Sequence, residues 1–280
     1  TVDAYQRDLM DFAEYLGIKR TQRGFDKASA TRALAELLTL KQGEAYKLVL
    51  GYRTHLFKVI QRAPKTVDRR ISTLRSLTKI ARTLGLTRLQ LDISNLSEGT
   101  IRDTKGPEEE GVKRMLRVIE KRYAKGDYQA KRRALRDRAL LLLFYCRAFR
   151  RADAVGLNIG SVDFPRRRAK LIRKGRHEPE YMTLPQSALT ALKSWLSVRG
   201  SKDPNAPMFV GIYKKTTPEQ LNKRIDPKSV YLIIRDIGKE AGLKTWPHAL
   251  RHAAGTEALN KTNGDIRAVA KFMGHKNVTT

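Results

Sequence analysis

HALRHAAGTEAL, His248 to Leu259, is followed a few residues later by FMGHKNVTT, Phe272 to Thr280. Arg251 follows His248 at i+3, so a helix places both side chains on one face. An arginine offers a planar fork of donors to two oxygens, and a neighbouring histidine donates or moves a proton near neutral pH. Together they suit a phosphate. The FMGH turn brings back a second imidazole, His275. His248 and His252 also stand at i,i+4, a spacing that suits a metal. No HExxH-type glutamate or cysteine cluster accompanies them, so no metal is expected.

The charge of the chain points the same way. Its 280 residues hold 57 Lys and Arg against 28 Asp and Glu, a formal net charge of +29, with a sequence pI near 10.5. Such a chain is expected to meet a polyanion, usually nucleic acid. The basic residues run through the whole length, with no compact polybasic tail beside an anchor, which disfavours a membrane surface. The single cysteine, Cys146, excludes an internal disulfide. It lies in the apolar run LLLLFYC and reads as a buried, inert thiol. No apolar stretch approaches the roughly 18 to 20 residues of a membrane span, and no signal peptide is evident. The expected location is the cytoplasm, on DNA, and with the nucleoid in a prokaryote.

The length suits about two domains. Apolar residues recur at helical spacing at Val2, Tyr5, Leu9, Phe12, Ala13 and Leu16, up to Gly17. Further helical runs cover Ala28–Leu40, Glu44–Arg62 and Thr66–Leu84, with Gly85 as a cap. In the last of these Val67, Ile71, Leu74, Leu77 and Ile80 are expected to face inward, with Arg69, Arg70, Arg75 and Lys79 on other faces. This gives an all-α domain over residues 1–98. Residues 99–110, with Gly99, Gly106 and Pro107, read as a linker. A mixed α+β domain over 111–280 follows. Arg133–Phe149 is a strongly apolar helix. Val162–Phe164, Ala169–Ile172 and Tyr181–Leu184 form a small three-stranded antiparallel sheet. Gln186–Val198 is helical. Asp226 and Pro227 open a helix that closes at Gly242, and Pro247–Leu259 and Asp265–Met273 are the last two, the second capped by Gly274.

Two other stretches carry chemistry. In CRAFRRADAVGLNIGSVDF, Cys146 to Phe164, Arg150 and Arg151 follow a buried helix at a tight turn, and Asp153 opens the next one. In RKGRHEPEYMTL, Arg173 to Leu184, Lys174 stands where two strands join, able to reach into a groove. Taken in order and spacing, these stretches and the C-terminal one resemble the tyrosine recombinase, or phage integrase, family. TVDAYQRDLMDFAEYLG is similar to its first core-binding helix and PKTVDRRISTLRSLTKIARTLGL to its last. AFRRADAVGL matches GLRxxELxxL, RKGRHEPEYMTLP matches GKGxKxRxVPL, HALRH matches HxLRH, and MGHKNVTT matches LGHxxxxTT.

The resemblance implies site-specific DNA recombination or integration through a 3′-phosphotyrosyl intermediate. Its catalytic residues would be Arg150, Lys174, His248, Arg251 and His275, supported by Asp153. The two arginines would hold the non-bridging oxygens, and His275 would add a hydrogen bond to them. Lys174 would protonate the leaving 5′ oxygen and His248 would assist proton transfer from the nucleophile. No cofactor is implied. The partner is double-stranded DNA, gripped between two domains, with contacts from Arg69, Arg70, Arg75, Lys105 and Arg176. A homo-oligomer on DNA and accessory DNA-binding proteins are implied as well. One element departs from the pattern. The family's tyrosine lies shortly after the GH histidine, and here no tyrosine follows Tyr231. The catalytic domain is therefore expected to be truncated before its nucleophile and inactive for cleavage. The alternatives are a non-catalytic DNA-binding relative and a type IB topoisomerase-like enzyme. A metal-dependent nuclease would need carboxylate clusters that are not seen.

Overall fold

A computed structural model describes residues 2–21, 24–96, 106–172, 178–213 and 222–274. The chain divides into two compact units, Thr1–Arg102 and Asp103–Thr280. Among the described residues no helix is long and apolar enough to cross a membrane.

The first unit is built from α1 (Val2–Tyr15), α2 (Lys27–Thr39), α3 (Gln42–Thr54) and α4 (Pro64–Thr83). Asp26 caps α2 by accepting from the N–H groups of Ala28 and Ser29, and Pro64 opens α4, where a missing N–H costs nothing. Phe12, Leu37, Val49, Tyr52, Leu56, Val67, Ile71 and Leu74 form the core. Phe12 meets Tyr52 edge-on, with ring centroids 4.9 Å apart. The unit is not purely helical. Arg20–Thr21 (β1) and Gly24–Phe25 (β2) pair antiparallel. The run that starts at α3 also ends in a π-helical turn, His55–Val59.

Ile80 corrects the expected inward face of α4, because it is 61% exposed. The buried stripe instead runs through Val67, Asp68, Ile71, Thr73, Leu74, Thr78 and Ala81. Ile80→Ser is therefore expected to change stability by no more than about 0.5 kcal/mol, whereas Ile71→Ala should cost roughly 2–5 kcal/mol. Urea unfolding of the two variants checks this, and equal losses would contradict the observed face. Beyond α4, Leu89, Leu91 and Ile93 are buried while Gln90 and Asp92 are exposed. This is a strand's alternation with no strand paired to it among the described residues. The Gln42 side chain supplies the missing partner, its amide donating to the Gln90 carbonyl and accepting from the Gln90 N–H at 3.0 Å.

The second unit is mixed α+β. It comprises α5 (Glu109–Lys125), α6 (Tyr128–Arg147), α7 (Arg151–Gly156), β3 (Val162–Asp163), β4 (Arg168–Leu171), β5 (Glu180–Thr183), α8 (Gln186–Arg199), α9 (Pro227–Glu240), α10 (Pro247–Lys261) and α11 (Ile266–Met273). Sequence reading missed α5, whose first residues, Glu109 and Glu110, fall inside the expected linker. Helix α6 begins at Tyr128 rather than Arg133 and stops at Arg147, leaving Phe149 outside it. Ala139 to Phe144 are all buried, so α6 is the central element, with α5, α8 and α10 packed around it. The strands form the antiparallel meander β3-β4-β5, in the register Val162↔Ala169 and Ala169↔Met182.

Several charges in this unit are interior. Arg199 is fully buried and donates to the Pro207 carbonyl at 2.7 and 3.1 Å and to Asn222 at 2.9 Å. Arg136 is buried against Asp137 and donates to it at 2.8 and 2.9 Å. Arg132 donates to the Val198 carbonyl at 3.0 Å. Buried guanidiniums are tolerated because carbonyls and a carboxylate replace their water. The formal charge of the chain therefore overstates what its surface offers to a polyanion.

Candidate active site

The site begins where α6 ends. Ala148 is fully buried and caps α6 in the left-handed conformation, φ 51° and ψ 35°. A non-glycine residue pays for that geometry with strain, which persists only where its surroundings hold it. Here the Ala148 carbonyl accepts from Nη1 of Arg251. The kink turns the chain so that Arg150 caps the N-terminus of α7. Its backbone N–H donates to the Asp153 carboxylate at 3.0 Å, so Asp153 closes the first turn of α7 and fixes where Arg150 starts.

Arg251 comes from α10, which opens with Trp246 as N-cap and Pro247 at the first position. Its side chain is buried, and Nη2 donates to the Met273 carbonyl at 2.7 Å. The half-buried Arg150 donates from Nη2 to the next carbonyl, Gly274, at 3.3 Å. Gly274 is the left-handed cap of α11, φ 63° and ψ 45°. Two arginines from distant parts of the sequence thus converge on consecutive peptides at the end of one helix, where carbonyls lack helical partners. Gly255 allows α11 to approach, since a Cβ there would sit 2.8 Å from Met273 Sδ. Arg147 covers the Phe272 ring at 4.8 Å.

His248 is exposed, one turn before Arg251 on α10. Partial desolvation, with His252 and Arg251 as neighbours, lowers its pKa from the usual histidine range, because burial and nearby positive charge disfavour the protonated ring. His252 Nε2 lies 2.9 Å from His248 Nε2, with the rings perpendicular at 86° and their centroids 4.4 Å apart. The i,i+4 spacing was visible in the sequence, but the contact between the rings was not. Among the described residues no group of three or more His, Cys, Asp or Glu side chains gathers as metal ligands would.

Of the expected catalytic set, Arg150, Arg251 and His248 lie in this region, with Asp153 behind Arg150. Lys174, His275, Lys105 and Arg176 lie outside the described residues. The three arginines expected at DNA on the first unit have partners within it. Arg69 pairs with Asp8, a carboxylate that also accepts from Thr73 at 3.0 Å. Arg70, only 13% exposed, pairs with Asp11, and Arg75 donates to Asn95 at 2.9 Å. The interior roles of Arg132, Arg136 and Arg199 were not foreseen.

The sequence profile of the phage integrase family matches residues 108–280. The tyrosine recombinase slr0733 of Synechocystis is 30% identical over 250 residues, which covers 88% of this chain and 76% of that protein. The tyrosine recombinase XerC of Alcanivorax borkumensis is 29% identical over 290 residues, covering 100% of this chain and 81% of its own length. Among solved structures, the Tn1549 transposon integrase in complex with transposon right end DNA superposes with a TM-score of 0.66 at 16% identity, over 99% of this chain and 86% of that one. The XerH recombinase bound to palindromic difH substrate superposes at 0.61 and 18% identity, over 90% and 71%. At these identities the two structures show a shared fold.

Proposed function

Because this chain belongs to the phage integrase family, we propose that its second unit cleaves and rejoins DNA strands in site-specific recombination, through a 3′-phosphotyrosyl intermediate. The observation that carries this reading is the convergence of Arg150 and Arg251 on the Met273–Gly274 peptides, with His248 one turn away on α10. A phosphodiester under attack gathers charge on its non-bridging oxygens, and fixed guanidinium donors stabilise that charge without reorganising. Arg150 and Arg251 take this role. His248 handles a proton or hydrogen bond beside the same phosphate, and His275 adds a second imidazole. Lys174 protonates the leaving 5′ oxygen. The covalent link conserves the phosphodiester energy, so a 5′ hydroxyl can reseal the strand without a nucleotide cofactor. None of the ten tyrosines follows Tyr231, so none of them stands shortly after the GH histidine, where this reading needs its nucleophile. The DNA named in the solved structures of the Tn1549 integrase and XerH supports duplex DNA as the partner here. An assembly of several copies on that DNA, aided by accessory proteins, belongs to the same proposal.

The 280-residue chain is expected to bind duplex DNA with strong salt dependence. Each phosphate neutralised steepens the log–log slope of affinity against salt by about 0.9. Arg132, Arg136 and Arg199 are interior and should contribute nothing to that slope. Anisotropy titrations over a range of salt concentrations measure it, and a slope near zero would count against the DNA partner.

A further inference from the structure

We propose that Gly106 is a positioning residue for the candidate active site. Having no side chain, it lets the segment that leads into α5 lie directly on α10, and so sets the position of the helix that carries His248 and Arg251. The contact itself is independent of what the site does, and its catalytic consequence rests on the recombinase reading.

The argument starts from the surface of α10. Ala249 and Ala253 stand at i,i+4 and both are buried. Two methyl groups one turn apart leave a low strip along the helix, and Gly106 rests on that strip. A Cβ at Gly106 would lie 2.0 Å from the Ala249 carbonyl oxygen, 2.8 Å from its carbonyl carbon and 2.7 Å from Ala253 Cβ. Two of these three atoms are helix backbone, which cannot rotate aside as a side-chain tip does. An added methyl therefore needs a shift of about 1 Å before the nearest contact reaches even 3.0 Å. The residues that follow Gly106 decide which partner moves. Pro107 is buried, and it packs so close to α5 that a Cβ at Gly111 would sit 2.9 Å from Pro107 Cβ. The Glu108 carbonyl then accepts from the Val112 N–H at 3.1 Å, and α5 is built into the core through Val112, Met115 and Ile119. Gly106 is thus held from behind, and the partner displaced is α10. Arg251 follows Ala249 by two residues on that helix, with its guanidinium fixed on the Ala148 and Met273 carbonyls. A misplacement of about 1 Å at a group that must meet a reacting phosphate lowers the rate by up to about 100-fold. Beside a proline, Gly106 reads in the sequence as a linker residue, whereas the close approach to α10 is what requires a glycine there.

The test has a structural and a catalytic reading. In the 15N-labelled 280-residue chain, without DNA, the Nε–H signal of Arg251 and the amide signals of α10 report the position of that helix. Gly106→Ala should move both. Ile119→Ala, a core change in α5, should lower the urea midpoint and leave the Arg251 signal in place. Unmoved α10 signals in Gly106→Ala overturn the proposal. In a chain extended through a tyrosine after the GH histidine, Gly106→Ala should slow adduct formation at saturating DNA on the order of 10- to 100-fold and keep the parental DNA affinity. Ile119→Ala should keep the parental rate. A loss of affinity in place of rate, or an equal loss of rate in the two variants, overturns the positioning role. If Gly106→Ala does not fold, a nuclear Overhauser contact between the Gly106 α-protons and the Ala253 methyl decides the geometry in the parent chain, and its absence overturns the proposal. Pro107→Ala, which adds no heavy atom and frees Gly106 to lift, then decides the positioning: a moved Arg251 signal supports it and an unmoved one overturns it. A parent chain that forms no adduct when extended fails the recombinase reading, while the Arg251 signal still decides the role of Gly106.

Discussion

Arg251→Ala is expected to slow DNA cleavage by about 10²- to 10³-fold and also to weaken the fold, whereas Arg150→Ala should slow cleavage as much and leave the fold nearly intact. The catalytic loss is shared, because each removes one fixed donor to the charged phosphate. Losing such a donor typically lowers the rate by about 10²- to 10³-fold, roughly 3 kcal/mol in the barrier. The structural loss is not shared. Arg251 is 3% exposed and ties the Ala148 carbonyl on one side to the Met273 carbonyl on the other. Removing it strands two carbonyls and releases the left-handed turn at Ala148. A buried group left without its partner costs about 1–3 kcal/mol, so a loss on the order of 3 kcal/mol is expected. The half-buried Arg150 side chain donates to Gly274 at 3.3 Å, its one hydrogen bond among the described residues, and its loss should cost no more than about 1 kcal/mol. Urea midpoints on the 280-residue chain measure the first effect, and single-turnover cleavage by a tyrosine-bearing chain measures the second. Arg251→Lys should resemble the alanine variant in both, since one ammonium cannot span the two carbonyls that the planar fork reaches. Equal midpoints for the two alanine variants would refute the structural role of Arg251. Parental cleavage in either variant would remove that residue from the site.

What the sequence revealed of this site, and what it hid, divides along a physical line. HALRH shows its geometry locally, because i+3 and i+4 spacing on a helix fixes which side chains are neighbours. The β3-β4-β5 meander was legible because alternating burial and turn residues are also local signals. The link between Arg150 and Gly274 is not local, and only the fold brings those segments together. Helix α5 was missed because its stripe of Val112, Met115 and Ile119 sits among charged residues directly after Gly106 and Pro107, which read as punctuation. Ile80 was misplaced because strict periodicity ignores polar residues such as Thr73 and Thr78, which α4 buries in its place. Leu89 to Ile93 keep a strand's pattern with no strand paired to them among the described residues, and a glutamine side chain in that role has no sequence signature. The buried arginines were hardest to see. Nothing in the residue type separates Arg199, which holds the Pro207 carbonyl and Asn222, from an arginine that meets a phosphate in solvent.

The 280-residue chain is expected to bind DNA and form no covalent adduct, while the same chain extended through a tyrosine shortly after the GH histidine forms one. The reasoning is chemical. Arg150 and Arg251 bond to each other's surroundings through Ala148, Met273 and Gly274, so this part of the pocket is assembled from residues within the 280. An assembled pocket stabilises a transition state, but on the proposed reading the nucleophile is a tyrosine placed after the GH histidine, and without it there is no phosphotyrosyl bond to trap. Suicide DNA substrates, nicked so that the 5′ hydroxyl diffuses away after cleavage, convert any attack into a stable protein–DNA band on a denaturing gel. The extended chain should give the band, and changing its tyrosine to phenylalanine should remove it while leaving DNA affinity unchanged. The shorter chain should give none even at saturating DNA, which separates a missing nucleophile from weak binding. Among the ten tyrosines present, Tyr145 has its hydroxyl on Glu257, and burial pushes its pKa up, the opposite of what an activated nucleophile needs. A covalent band from the 280-residue chain would overturn the assignment and direct attention to the tyrosines it already contains. A band that persists in the phenylalanine variant of the extended chain would do the same.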